Sequence, residues 1–245
     1  MARLGLMLWT VRDECARDFP AALRAVAALG FEGVEPFDLH GHAPAEIARV
    51  LGETGLVACA RHAQLEEIES RLPELAAEAH DLGWRRLVVS WVDPARLDAA
   101  LVARVEAAAE AAAAHGLELG FHNHDAEVVP RDGGGSFVEE LLAREKIFLE
   151  LDLGWAWYAG VDPTALLGSA RGRCPIVHVK DFHGRNGHAF APVGDGVVGY
   201  ERVAPAAVEA GVEWLLVEQD ETDGPSMDAA GRSLAALRAM LRVAA

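Results

Sequence analysis

Short apolar runs of strand length alternate along the whole chain with Ala- and Leu-rich stretches whose apolar residues recur every three or four positions. The runs predict eight strands: Leu4–Trp9, Gly33–Phe37, Leu56–His62, Arg86–Val92, Leu117–His124, Ile147–Leu153, Pro175–Asp181 and Trp214–Asp220. Between them, FPAALRAVAALG (19–30) and ARLDAALVARVEAAAEAAAAHG (95–116) predict amphipathic helices, each ending in a glycine suited to a helix C-terminus. A strand–helix rhythm repeated eight times in 245 residues, with no Ser/Pro-rich linker, predicts an α/β fold: a single (β/α)8 TIM barrel spanning residues 1–245.

In such a barrel, side chains at the C-terminal ends of the strands face one pocket. The polar residues of this chain collect at those ends: Thr10 and Arg12, Glu35, His62, Trp91 and Asp93, His122 and His124, Asp152, His178 and Lys180, Glu218 and Asp220. Any one of these taken alone reads as a core or solvated residue. Recurrence at every strand end points instead to a shared site. Because side chains alternate along a strand, His122 shares a face with His124, Glu150 with Asp152, His178 with Lys180, and Glu218 with Asp220. His122, Asp152, His178 and Glu218, one from each of four successive strands, make a mixed imidazole–carboxylate set. Such a set suits one divalent ion, Mn²⁺, Co²⁺, Zn²⁺, Fe²⁺ or Mg²⁺.

Charge and composition narrow the partners. With 22 basic and 38 acidic residues, the net charge of -16 disfavours nucleic acid and anionic membrane surfaces. Cys15, Cys59 and Cys174 are unpaired by spacing and fit a reducing compartment, so a cytoplasmic address is expected. The opening MARLGLMLWTVRDE reads as neither an export signal nor a membrane span. Assembly into a homo-oligomer is compatible with the sequence. Gly194, Gly196 and Gly199 spell the GxGxxG of dinucleotide-binding folds, but Pro192 stands where the preceding strand is needed and Pro205 lies in the following helix. The segment VGDGVVGYE therefore reads as a loop after the seventh strand, free to fold over the pocket or simply to connect.

Taken together, LGLMLWTVRDE, GFEGVEPF, GFHNHDAEV, LELDLGWAWYAGVDP, GRCPIVHVKDFHG, VGDGVVGYE and EWLLVEQDET resemble the sugar phosphate isomerase/epimerase superfamily, with its xylose isomerase-like TIM barrel. The nearest pattern is its subgroup with an HNHxxE segment after the fifth strand. The resemblance implies a metal-dependent isomerase or epimerase of a ketose or keto-sugar, or a lyase acting on an inosose-like or 3-keto-glycoside substrate. It places metal ligands on Asp152, His178 and Glu218. Where many members carry a fifth-strand glutamate, this chain has His122, so His122 or Glu127 is the fourth ligand. The family's acid/base pair then falls on Glu218 with His124 or Glu127, while Lys180 steadies developing negative charge or pairs with Asp152 or Asp181. Trp9, Trp91 and Trp155 can stack on a sugar ring, and Arg12, Glu35 and His62 can hold its hydroxyls. A silent sugar-binding protein is the non-enzymatic alternative.

Overall fold

A computed structural model describes residues 2–131 and 133–243. The residues beyond these, at positions 1, 132, 244 and 245, were included in the expected domain and lie outside the described part. The parallel sheet runs through β1 (Arg3–Met7), β2 (Gly33–Glu35), β3 (Val57–Ala58), β4 (Arg61–Ala63), β5 (Arg86–Val89), β6 (Glu118–His122), β7 (Ile147–Asp152), β8 (Ile176–Val179) and β11 (Trp214–Val217). A small antiparallel ribbon, β9 (Asp181–Phe182) with β10 (Phe190–Ala191), follows β8. The order in the sheet is β3-β2-β1-β11-β8-β7-β6-β5-β4. The chain therefore forms a nearly closed (β/α)8 barrel, as the strand rhythm predicted.

The expected third strand, Leu56–His62, is found as two pieces. β3 pairs with β2 and β4 with β5, so the chain between them, at Cys59–Ala60, joins the two ends of the sheet. Most of the other predicted strands run too far at their C-terminal ends. The ladder between β8 and β11 stops at Val179 and Val217, with one further bond from the Glu218 N–H to the Val179 carbonyl at 3.2 Å. At the helices, Asp18 accepts the Ala21 N–H at 2.9 Å and opens the helix Phe19–Leu29, which stops at Gly30 in the left-handed conformation. The long Ala-rich helix starts at Ala99, later than its pattern suggested, because Asp98 captures the Leu101 N–H at 2.9 Å.

Packing inside the barrel is divided by depth. Cys59, Val88, Phe148, Ile176, Trp214 and Leu216 form an apolar cluster separate from the core between sheet and helices. Several of these lie near the starts of their strands, so they close the floor. Other strands make room by carrying glycine: a β-carbon on Gly33 would sit 2.6 Å from the Trp214 ring across β1, and one on Gly120, on the strand next to Phe148, would overlap its ring. Period two then climbs β7 from Phe148 in the floor to Glu150 and Asp152.

The glycine-rich loop after β10 has a structural task. Asp181 accepts backbone N–H groups from Gly194, Gly196 and Val198 at 3.0, 3.3 and 3.1 Å, and from Phe182 at 2.9 Å. The loop is thus clamped onto one carboxylate, and its expected freedom to fold over the pocket is not seen. Gly196 approaches Asp181 so closely that a β-carbon would overlap the carboxylate. Gly196→Ala is expected to cost about 1–3 kcal/mol in urea unfolding, as overpacking does. Gly184→Ala, where a β-carbon meets nothing within 4 Å, should stay within about 0.5 kcal/mol of wild type. Equal stability of the two variants would refute the clamp.

Candidate active site and metal centre

At the C-terminal ends of the strands opens a cavity of about 470 Å³. Trp9, Phe37 and Trp91 with Met7 form an apolar side, while His62, His122, His124, Glu218 and Asp220 form a polar one. Trp9 and Trp91 are 39 % and 47 % exposed, unusually open for indoles, and Trp9 meets Phe37 edge-on with ring centroids 5.1 Å apart. Gln64 and Ser90 also line the wall and are hydrogen-bonded at 3.0 Å.

Below the cavity the barrel holds two groups of ionisable side chains that share His122 and His178. In the inner group, Glu150 Oε1 lies 2.5 Å from His62 Nε2, 3.1 Å from His178 Nε2 and 3.2 Å from His122 Nδ1. Glu35 Oε2 lies 2.8 Å from His178 Nε2 and 3.4 Å from His62 Nε2. In the outer group, Lys180 Nζ sits 3.2 Å from Asp152 Oδ2, 3.0 Å from Glu218 Oε2 and 3.0 Å from Asp220 Oδ2. His178 Nδ1 reaches Glu218 Oε2 at 2.8 Å, so this one ring links the two groups. Asp152 also caps the helix Leu153–Tyr158 by accepting the Trp155 N–H at 2.8 Å.

Burial would neutralise every charge here, and specific neighbours decide where it fails to. Burial raises a carboxyl pKa, but beside Glu218 the ammonium of Lys180 and His178 outweigh it and hold the pKa well below the usual range. Glu150 is likewise held low against burial by His178 and His62. Burial, helped by Glu150, lifts Glu35 to about 7. Burial and the neighbouring His178 push His122 down to about 3, leaving a neutral imidazole, and burial with His122 keeps His124 neutral as well. Lys180 is raised despite burial by Asp152, Asp220 and Glu218, and stays charged.

A divalent cation fits this donor set. Glu35 Oε1, Glu150 Oε2, Asp152 Oδ2 and His122 Nδ1 are buried without an aligned hydrogen-bond partner, an arrangement that is costly unless a cation or proton completes it. His122 is already neutral and Glu150 and Glu218 already ionised, as such an ion requires, while His62 and His178, held protonated against burial by neighbouring carboxylates, would release a proton on binding it.

The candidates named from the sequence fall into three sets. His62, His122, His124, Glu218, Trp9 and Trp91 line the cavity. Glu35, Asp152, His178 and Lys180 lie in the layers beneath it. Arg12, Trp155 and Glu127 are elsewhere. Arg12 braces the chain by donating to the carbonyls of Trp9 at 3.1 Å and Asp220 at 2.6 Å. Trp155 packs behind the wall against Tyr158, Phe182 and Phe190, with its ring centroid 5.7 Å from that of His124 and 5.1 Å from Lys180 Nζ. Glu127 turns back to accept the His124 N–H at 3.0 Å, capping its own short helix. Lys180 does pair with Asp152, but its other partners are Glu218 and Asp220, since Asp181 is taken by the glycine loop. The candidate set lacked Glu150, Asp220, Phe37 and Gln64. Period two had already placed Glu150 beside Asp152 and Asp220 beside Glu218; Phe37 and Gln64 carried no distinguishing signal.

The chain belongs to the xylose isomerase-like TIM barrel family, whose model matches residues 23–240. Among solved structures it is similar to a sugar phosphate isomerase/epimerase from Parabacteroides distasonis, with TM-score 0.80 and 19% identity over 98% of this chain and 94% of that one. An L-ribulose 3-epimerase gives TM-score 0.74 and 19% identity over 100% and 96%. The probable 3-DHS dehydratase AsbF from Bacillus anthracis gives 0.76 and 14% over 96% and 98%. At these identities the likeness is one of fold. No curated protein matches the sequence. Among the described residues no helix is long and apolar enough to cross a membrane.

Glu127 offers a test of its capping role. Burial raises its pKa from 4.5 to about 7, so the folded chain holds that proton more tightly than the unfolded chain does. The resulting stability is complete below the unfolded value and is lost as pH rises through about 7. Glu127→Gln keeps an acceptor for His124 without the charge. Its stability relative to wild type should therefore improve by roughly 2–3 kcal/mol between pH 5 and pH 8. A difference that does not move with pH, measured by thermal melts, would remove this account.

Proposed function

We propose that this one-domain barrel is a metal-dependent sugar isomerase or epimerase acting on a ketose or keto-sugar. The observation that carries the proposal is Glu218: a carboxylate on the cavity wall, held ionised by Lys180 and His178, facing a space walled on its other side by Trp9, Phe37 and Trp91. The family supports it, and the likeness in fold extends to an epimerase. A sugar has an apolar face for the indoles and hydroxyls for the polar wall. A divalent ion bound through the His122–His178 pair would supply Lewis-acid polarisation of a substrate carbonyl, a contribution of several kcal/mol.

The residues of the chain divide the remaining work. Glu218 removes the proton from the carbon beside the carbonyl, its low pKa ensuring that it is unprotonated. Lys180, fixed between Glu218, Asp152 and Asp220, balances negative charge as it develops. His124, a neutral imidazole on the same wall, is the proton-transfer partner that the cavity retains once Glu127 is assigned to its helix cap. Proton return to the opposite face gives epimerisation, and return to the neighbouring carbon gives aldose–ketose isomerisation. Loss of a β-leaving group after the same abstraction gives the lyase outcome. The acidic surface and reduced cysteines fit a cytoplasmic enzyme of small molecules, assembled as a monomer or homo-oligomer.

Proton NMR of a panel of keto-sugars in D₂O, with Mn²⁺-loaded and with chelated protein, tests this reading. Deuterium should enter at the carbon beside the carbonyl only with metal present. Glu218→Gln should slow exchange by about 10²–10⁴-fold, the range of general-base catalysis. A sugar that binds the loaded protein without any exchange would establish the silent binding protein instead.

A further inference from the structure

Each ring nitrogen of His178 meets a carboxylate. Nδ1 lies 2.8 Å from Glu218 Oε2, and Nε2 lies 2.8 Å from Glu35 Oε2. The two carboxylates are not equivalent. Glu218 lines the cavity, whereas Glu35 is wholly buried and takes no part in the cavity wall. A sugar in the cavity does not reach Glu35, so the hydroxyl-holding role expected of this residue from the sequence is closed to it.

An ion that polarises a substrate stands on the cavity side of its ligands. On that side His178 presents Nδ1, beside Glu218, and His122 presents Nε2, which lies 4.0 Å from Asp152 Oδ2. The other nitrogen of each ring faces the buried layer. His178 Nε2 meets Glu35, with Glu150 Oε1 at 3.1 Å, and His122 Nδ1 has Glu150 Oε1 at 3.2 Å. A carboxylate that accepts the second N–H of a metal-binding imidazole fixes which nitrogen offers its lone pair and how the ring is turned.

Glu35 reaches His178 from far away. It stands on β2, and both β1 and β11 lie between β2 and β8 in the sheet, so the contact crosses the barrel interior. Its second oxygen, Oε1, is buried without a partner. A carboxyl group buried at that cost is a poor stabiliser of the fold, and its bond to His178 is the better reason for its presence. His62 completes the mount: its ring lies parallel to that of His178, with centroids 5.3 Å apart and 11° between planes, while its own Nε2 is held by Glu150.

We propose that Glu35 is a positioning residue of the metal centre. From the buried layer it accepts the Nε2–H of His178, with His62 stacked against the ring, and so commits Nδ1 to a divalent ion held with Asp152 and Glu218 on the cavity side. The inference rests on the metal-dependent reading above, and its test reads binding and the state of one ring, not turnover.

Nitrogen-15 NMR of the histidine-labelled full chain, free and loaded with Zn²⁺, shows that ring directly. His178 Nε2 is expected to carry the proton in the loaded protein, and the Nδ1 signal to shift as the metal binds. Ligation through Nε2 overturns the proposal and leaves metal dependence intact, whereas a wild-type chain that takes up no Zn²⁺ overturns both. Zn²⁺ affinity, measured by competition with a fluorescent chelator, tests Glu35 itself. Glu35→Met removes the acceptor and should weaken binding about 10–100-fold. Glu35→Gln, whose side-chain carbonyl can still accept the Nε2–H, should recover most of that loss. Thermal melts establish that each variant is folded. A folded Glu35→Met with wild-type affinity, or a Glu35→Gln no better than Glu35→Met, overturns the positioning role. Should Glu35→Met not fold, the His178 ring in loaded Glu35→Gln decides: Nε2 protonated and Nδ1 shifted upholds the role, and any other state overturns it.

Discussion

Burying charge is the constraint on which this barrel turns. Glu35, His62, His122, Glu150 and His178 occupy its interior with almost no contact with water, so each must find its counter-charge in a neighbouring buried side chain or in a guest. No single strand supplies the answer: Glu35 comes from β2, His62 from β4, His122 from β6, Glu150 from β7 and His178 from β8. Only a closed sheet brings these five side chains within hydrogen-bonding distance of one another. An error in register would separate them and leave unpaired charges in the core. The network is therefore as much a check on barrel closure as a candidate site.

Closure in turn depends on the floor. Trp214 and Phe148 are large for a barrel interior, and they fit because Gly33, one strand removed from Trp214, and Gly120, on the strand beside Phe148, carry no side chain. With the floor filled, the next inward positions on β7 and β8 are Glu150 and His178, and those above are Asp152 and Lys180. Polarity thus rises along each of these strands in steps of two, from apolar floor to buried ionic layer to cavity wall.

Much of this was legible in one dimension. Eight apolar runs and their helices fixed the barrel, and period two correctly paired Glu150 with Asp152 and His178 with Lys180. Depth was not legible. Which of two residues on one face lies level with a neighbour's histidine depends on the stagger between strands, and here His122 registers with Glu150 while Asp152 registers with His178. Strand ends were overextended for a related reason: polar residues such as Glu218 follow the apolar run without interruption, and only the ladder shows where pairing stops. Glu127 and Arg12 sat in the right segments, but local hydrogen bonds to His124 N–H and to the Trp9 carbonyl claimed their side chains.

Lys180 shows how firmly the outer layer is prepared. The Tyr200 hydroxyl accepts its N–H at 3.0 Å and donates to its carbonyl at 2.9 Å, closing both backbone groups of this one residue. The next residue, Asp181, is fixed by four backbone N–H groups, most of them from the glycine loop. A long, flexible side chain normally loses much of its rotamer freedom when it is pinned between carboxylates. Anchoring the backbone on both sides limits what remains to be lost and sets the ammonium among Asp152, Glu218 and Asp220 before any ligand arrives. The glycine motif that imitates a nucleotide fingerprint is thus spent on holding a cation in place, and that fixed charge keeps Glu218 ionised at the cavity wall.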